Sequence, residues 1–453
     1  MRATRLRARV IGGMGALALA ASALVSAPSA GAQGGSLDSP VRSDFYQPPA
    51  DFTSTAPANG DLVRSEPMPL AFSVADMPGP IPAQAQRIMY RSTGATGAPT
   101  AVTGMFMKST RPWTGKGPRP VAVVAPGTQG QGDNCAPSKS FQTLANIQSA
   151  PPSVGVGYEL ISAWALTDAG FDVAVTDYEG LGTPGVHPYV DRRSEGQSVL
   201  DAARAAIRLP GSGHGADTPV VFSGYSQGGG AAAAAAELAA SYAPELKAVG
   251  ANAAAPPADL LKVLNRIDGS LIAGAIGYAI NSFTTSHPEL RPILDAKLND
   301  RGKAMLGAVA EQCIGETILG FGLQNTTMYT VDGRPASQVL PEIPEVVQLL
   351  EDQRIGRVRP SMPVRVQGNR NDDAVEFSQV EDLAHNWCTE GATVDFRVDE
   401  TPPILPRSVV NHLLPMLTHQ QEVVGYLTDR VNGVPAPSTC GGAPVQAAGS
   451  SAS

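Results

Sequence analysis

An α/β fold, built on a mainly parallel sheet with helices on both faces and one helical insertion, is predicted by three features of this 453-residue chain. Short apolar, β-branched runs alternate with longer helix-patterned segments, which is what a parallel sheet covered on both sides requires. One such run feeds straight into Gly224-Tyr225-Ser226-Gln227-Gly228 and then a row of alanines, the pattern of a tight strand-to-helix turn. From Pro256 to about residue 357 the alternation stops, and a largely helical stretch separates two blocks of sheet rhythm.

Taken in order, residues 1–32 read as a secretory signal peptide: Arg2, Arg5, Arg7 and Arg9 precede an apolar run from Val10 to Val25, and Ala30-Gly31-Ala32 offers a small-x-small cleavage site. That run is short for a bilayer, which needs about 20 residues, so no membrane span is expected in the mature chain. Residues 33 to about 85, rich in Pro, Ser and Ala, read as an arm with few regular elements. Residues 86–93 and 101–109 alternate like a hairpin, and "RPVAVVAPG" (119–127) has the signature of a buried central strand.

A helix over 158–169, a strand over 171–180, a helix over 194–208, a strand over 218–224, a helix over 227–242 and a strand over 245–255 follow. The apolar stretch 269–283 in the insertion is too short to span a membrane. Sheet rhythm resumes with a strand over 359–368, a helix over 378–388 and a strand over 392–398. The expected organisation is therefore a core in two parts, 33–256 with its arm and 358–436, split by a helical cap or lid at 257–357. A flexible tail occupies 437–453.

Charged residues are 16% and hydrophobic ones 43%, a globular rather than disordered profile. The net charge is −8, and losing residues 1–32, which hold four arginines and no acid, takes it to −12. Such a surface disfavours nucleic acid and anionic membranes as partners. Cys135, Cys313, Cys388 and Cys440 make an even count, and in an oxidising compartment two disulfides are expected. Of the three pairings possible, Cys135–Cys313 with Cys388–Cys440 is preferred. No close Cys or His spacing suggests zinc, and neither metal nor cofactor is expected.

The turn at Ser226 carries the chemistry. Flanking glycines let two backbones approach, and the turn lifts the hydroxyl clear of the sheet at a helix N-terminus whose partial positive charge favours developing anions. A serine needs a base, and the base needs an orienting acid; in such folds the chain order is Ser, acid, His. After the strand that follows the insertion come Asp372 and Asp373. Either could serve; the spacing of three residues to Val375 favours Asp372, with Asp373 as runner-up and natural helix cap. His187 and His214 precede Ser226, His287 lies in the insertion and His385 precedes the last strand. His412 and His419 both qualify by order, and His412 is preferred because a loop-borne imidazole there can reach over the sheet edge. The N–H of Gln227 and one from the Gly127–Gly130 loop, at Thr128 or Gln129, are the expected oxyanion donors. Asp177 and Glu179 lie near a strand end, where lining a site and bracing a turn are equally open readings.

Five segments together resemble the secreted lipases of actinobacteria and fungi, of the lipase A type: "PGTQGQGDNCAPS" (126–138), "TDYEGLGTPGVHPYV" (176–190), "GYSQGGGAA" (224–232), "NDDAVEFSQVEDLAHNWCTEGATVDF" (371–396) and "NHLLPMLTHQQEVVGYLTDRVNG" (411–433). The resemblance implies the α/β-hydrolase fold, Ser226, Asp372 and His412 as a triad, a donor near Gln129, and hydrolysis of carboxylic esters including acylglycerols under a helical lid. Two departures stand out: Pro126 where related hydrolases often place a histidine, and Glu376 where a proline is usual. The expected partner is an acyl ester or lipid, met at a lipid–water interface. A serine peptidase or acyltransferase on the same scaffold, or a silent binding protein, is the alternative.

Overall fold

The computed structural model describes residues 43–70, 81–142, 145–149, 152–442 and 445–446. The expected signal peptide lies outside these residues, as do the start of the arm and the end of the tail.

The strands in chain order are β1 (Leu62–Met68), β2 (Ala83–Thr93), β3 (Pro99–Ser109), β4 (Val121–Ala125), β5 (Ala145–Ser149), β6 (Pro152–Val156), β7 (Asp172–Thr176), β8 (Pro219–Tyr225), β9 (Lys247–Ala254), β10 (Val364–Asn369), β11 (Val394–Asp399) and β12 (Val445–Gln446). Ten form one sheet in the order β1-β2-β3-β7-β4-β8-β9-β10-β11-β12; β5 and β6 form a separate hairpin. β1, β2, β3 and β7 pair antiparallel, and every pair from β7 to β12 is parallel.

Side chains alternate across a strand, so a strand buried on both faces must be apolar at every position. β4, Val-Ala-Val-Val-Ala, is buried throughout. Its Val121, Val123 and Ala125 pack with Phe222 of β8 against the helices Arg192–Arg208 and Gln227–Tyr242. Ala122 and Val124 face the other way, toward Leu160 and Leu166 of the helix Leu160–Asp168 and Val423 and Leu427 of the helix Gln420–Val431. In the helix after Ser226, Ala231 to Ala236 are all fully buried, and their small side chains let that helix lie close on the sheet.

Between β9 and β10 the chain is largely helical, running from Leu260–Ile267 to Pro344–Asp352, with isolated bridges of Leu298 to Thr330 and of Cys313 to Gly130. The helices pack into two smaller cores, one around Tyr278, Met305 and Val309 that also takes in Ala374 and Val409 from beyond the insertion, the other around Phe283, Leu294 and Leu349.

Two expectations need amending, and one element went unread. The arm, expected to carry few regular elements, contributes a full strand to the main sheet: β1 pairs along β2, because its residues can extend the β2–β3 hairpin by one antiparallel strand. The β5–β6 hairpin falls on a Pro- and Ser-rich stretch whose alternation is too weak to read. The tail from residue 437 is partly tethered: Thr439 N–H donates to the Val394 carbonyl at 2.8 Å, Cys440 bonds Cys388, and Val445–Gln446 pairs in parallel with β11. The other cysteines join as Cys135–Cys313.

Candidate active site

At the end of β8 the chain reverses into a helix within one residue, and Ser226 takes the strained values φ 59° and ψ −125° there. A Cβ on Gly224 would strike the Gly228 carbonyl, and one on Gly228 would strike the Ala125 carbonyl. Only glycine fits at either place, which is why the serine stands between two of them. The Ser226 N–H is tied to the Ala254 carbonyl at 2.9 Å, pinning the turn to the end of β9.

His412 lies in the first turn of the helix Val410–Thr418 rather than on a loop, since the left-handed Val409 (φ 66°) starts that helix early. Its Nε2 is 2.8 Å from Ser226 Oγ, and its Nδ1 is 3.0 and 2.9 Å from the two oxygens of Asp372. With Nδ1–H donating to the carboxylate, Nε2 is left as acceptor for the serine hydroxyl. Asp372 is buried, and its Oδ1 also accepts the N–H groups of Ala374 and Val375, both at 2.8 Å, so its own turn fixes it.

Asp373 does not cap the following helix. Its carboxylate turns instead to the histidine segment, accepting Val409 N–H at 2.8 Å and His412 N–H at 3.1 Å. Arg266, from the inserted helix Leu260–Ile267, donates Nε to the Asp372 carbonyl at 2.8 Å. Tyr225 Oη donates to the His412 carbonyl at 2.5 Å. The runner-up His419 faces Asp399 at 3.2 Å; His214 faces Asp172 at 2.9 Å, and His287 faces Glu289 at 3.3 Å.

Thr128, Ser226 and Gln227 share the wall of a pocket of about 960 Å³, counted with its open mouth. Otherwise it is lined largely by apolar side chains from the insertion, among them Leu264, Ile276, Phe283, Leu294 and Leu349. Gln129 is buried beside Gly127, whose carbonyl its Nε2 reaches at 3.2 Å. Asp177 and Glu179 turn out to brace turns: Asp177 accepts Ser138 N–H and the Thr103 hydroxyl, and Glu179 accepts Ala95 N–H and the Ser194 hydroxyl.

One buried cluster escaped sequence reasoning. The Gln227 amide donates to Glu195 Oε1 at 2.7 Å and to His187 Nε2 at 2.9 Å, while His187 Nδ1 lies 2.9 Å from the Glu179 carbonyl. His187 is thus the Nδ1–H tautomer, accepting at Nε2. Burial pushes the Glu195 carboxyl up to about 8 and the His187 imidazole down to about 4. Chain order set His187 aside as a base and gave no hint that it would contact the residue after the serine.

Serine, imidazole and carboxylate in line at the carboxyl ends of parallel strands, beside an apolar pocket, can carry out acyl transfer. Sheet order and site together define an α/β hydrolase. Residues 145–439 match the secretory lipase family, and the chain belongs to it. It is accordingly a carboxylic-ester hydrolase. The chain is 28% identical over 411 residues to a Mycobacterium tuberculosis protein named a probable inactive lipase, covering 87% of this chain and 83% of that one. It is 26% identical over 365 residues to a secreted triacylglycerol lipase of Malassezia furfur, covering 78% and 69%. The crystal structure of Candida antarctica lipase A in its closed state superposes with a TM-score of 0.71 at 21% identity, covering 89% of this chain and 88% of that one, a likeness of fold. Among the described residues no helix is long and apolar enough to cross a membrane, and no group of His, Cys, Asp and Glu could hold a metal ion.

Proposed function

We propose that this chain is an exported serine lipase or esterase that cleaves acyl esters, acylglycerols among them, through an acyl-enzyme. The observation that carries the reading is the 2.8 Å contact of Ser226 Oγ with His412 Nε2, with Asp372 on the other ring nitrogen and the apolar pocket alongside. Ser226 Oγ attacks the acyl carbon as His412 takes its proton, and the carbonyl π electrons move onto oxygen. Backbone N–H groups of Gln227 and of the Thr128–Gln129 segment face that charge. The intermediate collapses, the C–O bond to the alcohol breaks, and His412 returns the proton to the leaving alcohol. Water, deprotonated by the same histidine, then releases the acid.

The helices at 257–357 act as a cap over the acyl chain, a role supported by the apolar side chains they give the pocket. Export is supported by the signal-like residues 1–32, by the two disulfides, and by a relative named as secreted. The relative named inactive favours a second reading, a silent member of the family; against it stands the complete Ser226–His412–Asp372 chain of hydrogen bonds. A panel of p-nitrophenyl esters from short to long acyl chains tests both. Turnover that vanishes in Ser226→Ala upholds the serine hydrolase, and no turnover at any length upholds the silent protein.

A further inference from the structure

The loop opposite Ser226 has a hydrogen-bond pattern that fixes which way its peptides face. Four successive carbonyls are each taken by a donor: Pro126 by the Tyr178 hydroxyl at 2.8 Å, Gly127 by the Gln129 amide at 3.2 Å, Thr128 by the Tyr158 hydroxyl at 2.7 Å, and Gln129 by the Ile314 N–H at 2.8 Å. The Gly127 N–H is spent on Glu159 Oε1 at 2.7 Å. Among the described residues neither Thr128 N–H nor Gln129 N–H has a protein acceptor.

In a trans peptide the carbonyl and the next N–H point opposite ways. A hydroxyl that pulls the Thr128 carbonyl to one side therefore turns the Gln129 N–H to the other. The hold on Thr128 comes from the half-buried Tyr158 phenol, outside the loop, whereas the Gly127 carbonyl, which orients Thr128 N–H, is held only by the loop's own flexible amide and at longer range. The fit is close: a Cβ on Gly127 would sit 2.9 Å from Tyr158 Oη and 3.1 Å from Glu159 Oε1. We propose that Tyr158 is a positioning residue that aims the Gln129 N–H as the second oxyanion donor. This rests on Ser226 being the nucleophile. Burial raises the Tyr158 phenol well above its ordinary range, so it stays a donor at every working pH.

The test is Tyr158→Phe, which keeps the ring and removes only the hydroxyl. Losing an oxyanion donor costs about 10²–10³ in kcat, and a misaimed one at least about tenfold. The expected result is that loss in kcat on a p-nitrophenyl ester with KM nearly unchanged, and a parallel loss of affinity for an alkyl trifluoromethyl ketone. That probe takes the serine oxygen at its carbonyl carbon, passes the hydroxyl proton to His412, and leaves an oxyanion in the same place. Tyr178→Phe, which frees only the Pro126 carbonyl, is expected to lose much less. Equal losses in the two variants, a loss carried by KM, or undiminished ketone affinity would overturn the proposal.

Should Tyr158→Phe not fold, the wild-type protein labelled with ¹⁵N-glutamine answers instead. The Gln129 amide proton is expected to move downfield on ketone binding together with that of Gln227, and a stationary Gln129 amide would overturn the proposal. Ser226→Ala separates the two levels. If it retains activity the nucleophile reading falls, whereas an inert Ser226→Ala beside a fully active Tyr158→Phe sinks only the role of Tyr158.

Discussion

Ser226 Oγ and His412 Nε2 lie 2.8 Å apart although 186 positions separate them in the chain. A unit of this kind fails as a whole when one member is removed, so single and double deletions cost about the same. Ser226→Ala and His412→Ala are each expected to lower kcat by about 10⁴-fold or more, with the double variant no worse than either. Steady-state kinetics on one soluble ester, with circular dichroism to confirm folding, decides it; losses that multiply in the double variant would contradict a shared role.

The neighbours Asp372 and Asp373 separate orientation from support. Asp372→Asn leaves the imidazole in the wrong tautomer, and kcat is expected to fall by about 10⁴-fold at little cost in stability. Asp373 holds two backbone N–H groups of the histidine segment. Asp373→Ala leaves those buried donors unpaired and is expected to cost about 1–3 kcal/mol each in unfolding free energy. Urea melts and kinetics on both variants check the division, and an inert Asp373→Ala beside an active Asp372→Asn would reverse it.

The glycines around the serine are fixed by backbone contact, not by side-chain fit. Gly228→Ala sets a Cβ against the Ala125 carbonyl, and neither backbone can move without breaking the sheet. It is expected to destabilise by about 3 kcal/mol or more, or to prevent folding. Gly307→Ala, with open space around it, is the control. A thermal melt of Gly228→Ala like that of wild type would show the turn to be looser than described.

The buried Glu195 gives a pH dependence of known sign. Its folded-state value of about 8 lies above the ordinary 4.5, so between those limits the folded state holds a proton that the unfolded chain has lost. Its contribution is fully present below the lower limit and disappears as pH rises toward 8, at up to about 1.4 kcal/mol per pH unit. His187, held down near 4, acts oppositely below its ordinary 6.5, where the unfolded chain protonates first. Glu195→Gln keeps an acceptor oxygen for Gln227 and removes the titration. Its stability relative to wild type is therefore expected to rise from pH 5 to pH 8 by roughly 3 kcal/mol. Urea unfolding at several pH values measures the difference, and a flat one would show that Glu195 does not titrate there.

The Cys135–Cys313 disulfide ties the segment after the Gly127–Gly130 loop to the start of the inserted helix Ile314–Phe321, and Gly130 pairs with Cys313 beside it. Replacing both cysteines by serine is expected to cost about 2–4 kcal/mol and to lower kcat as the loop loosens. Thermal melts and ester kinetics on the double variant check both effects, and unchanged kcat would mean the loop is held by its tyrosines alone.

What was legible in the sequence follows from local rules. Runs such as Val121–Ala125 announce strands buried on both faces, and the chain order of serine, acid and histidine left few candidates for each role. Tyr158, Tyr178, Glu195 and His187 were not legible, because a buried phenol or carboxyl shows its purpose only through its partner, and each partner lies on a different element. The same holds for Asp373, whose position before a helix suggested a cap while its bonds go to a segment 36 to 39 positions away.

By itself, the sequence determined the period of apolar residues, the glycines that a reversal at Ser226 demands, and a short list of groups able to do the chemistry. Those depend on bonds and volumes within a few residues. Only the tertiary structure decided that Asp372 rather than Asp373 meets the imidazole, and that the free N–H groups of the Gly127–Gln129 loop face away from bound carbonyls. Those choices turn on directions, and directions are set when distant elements pack and each buried donor must find an acceptor.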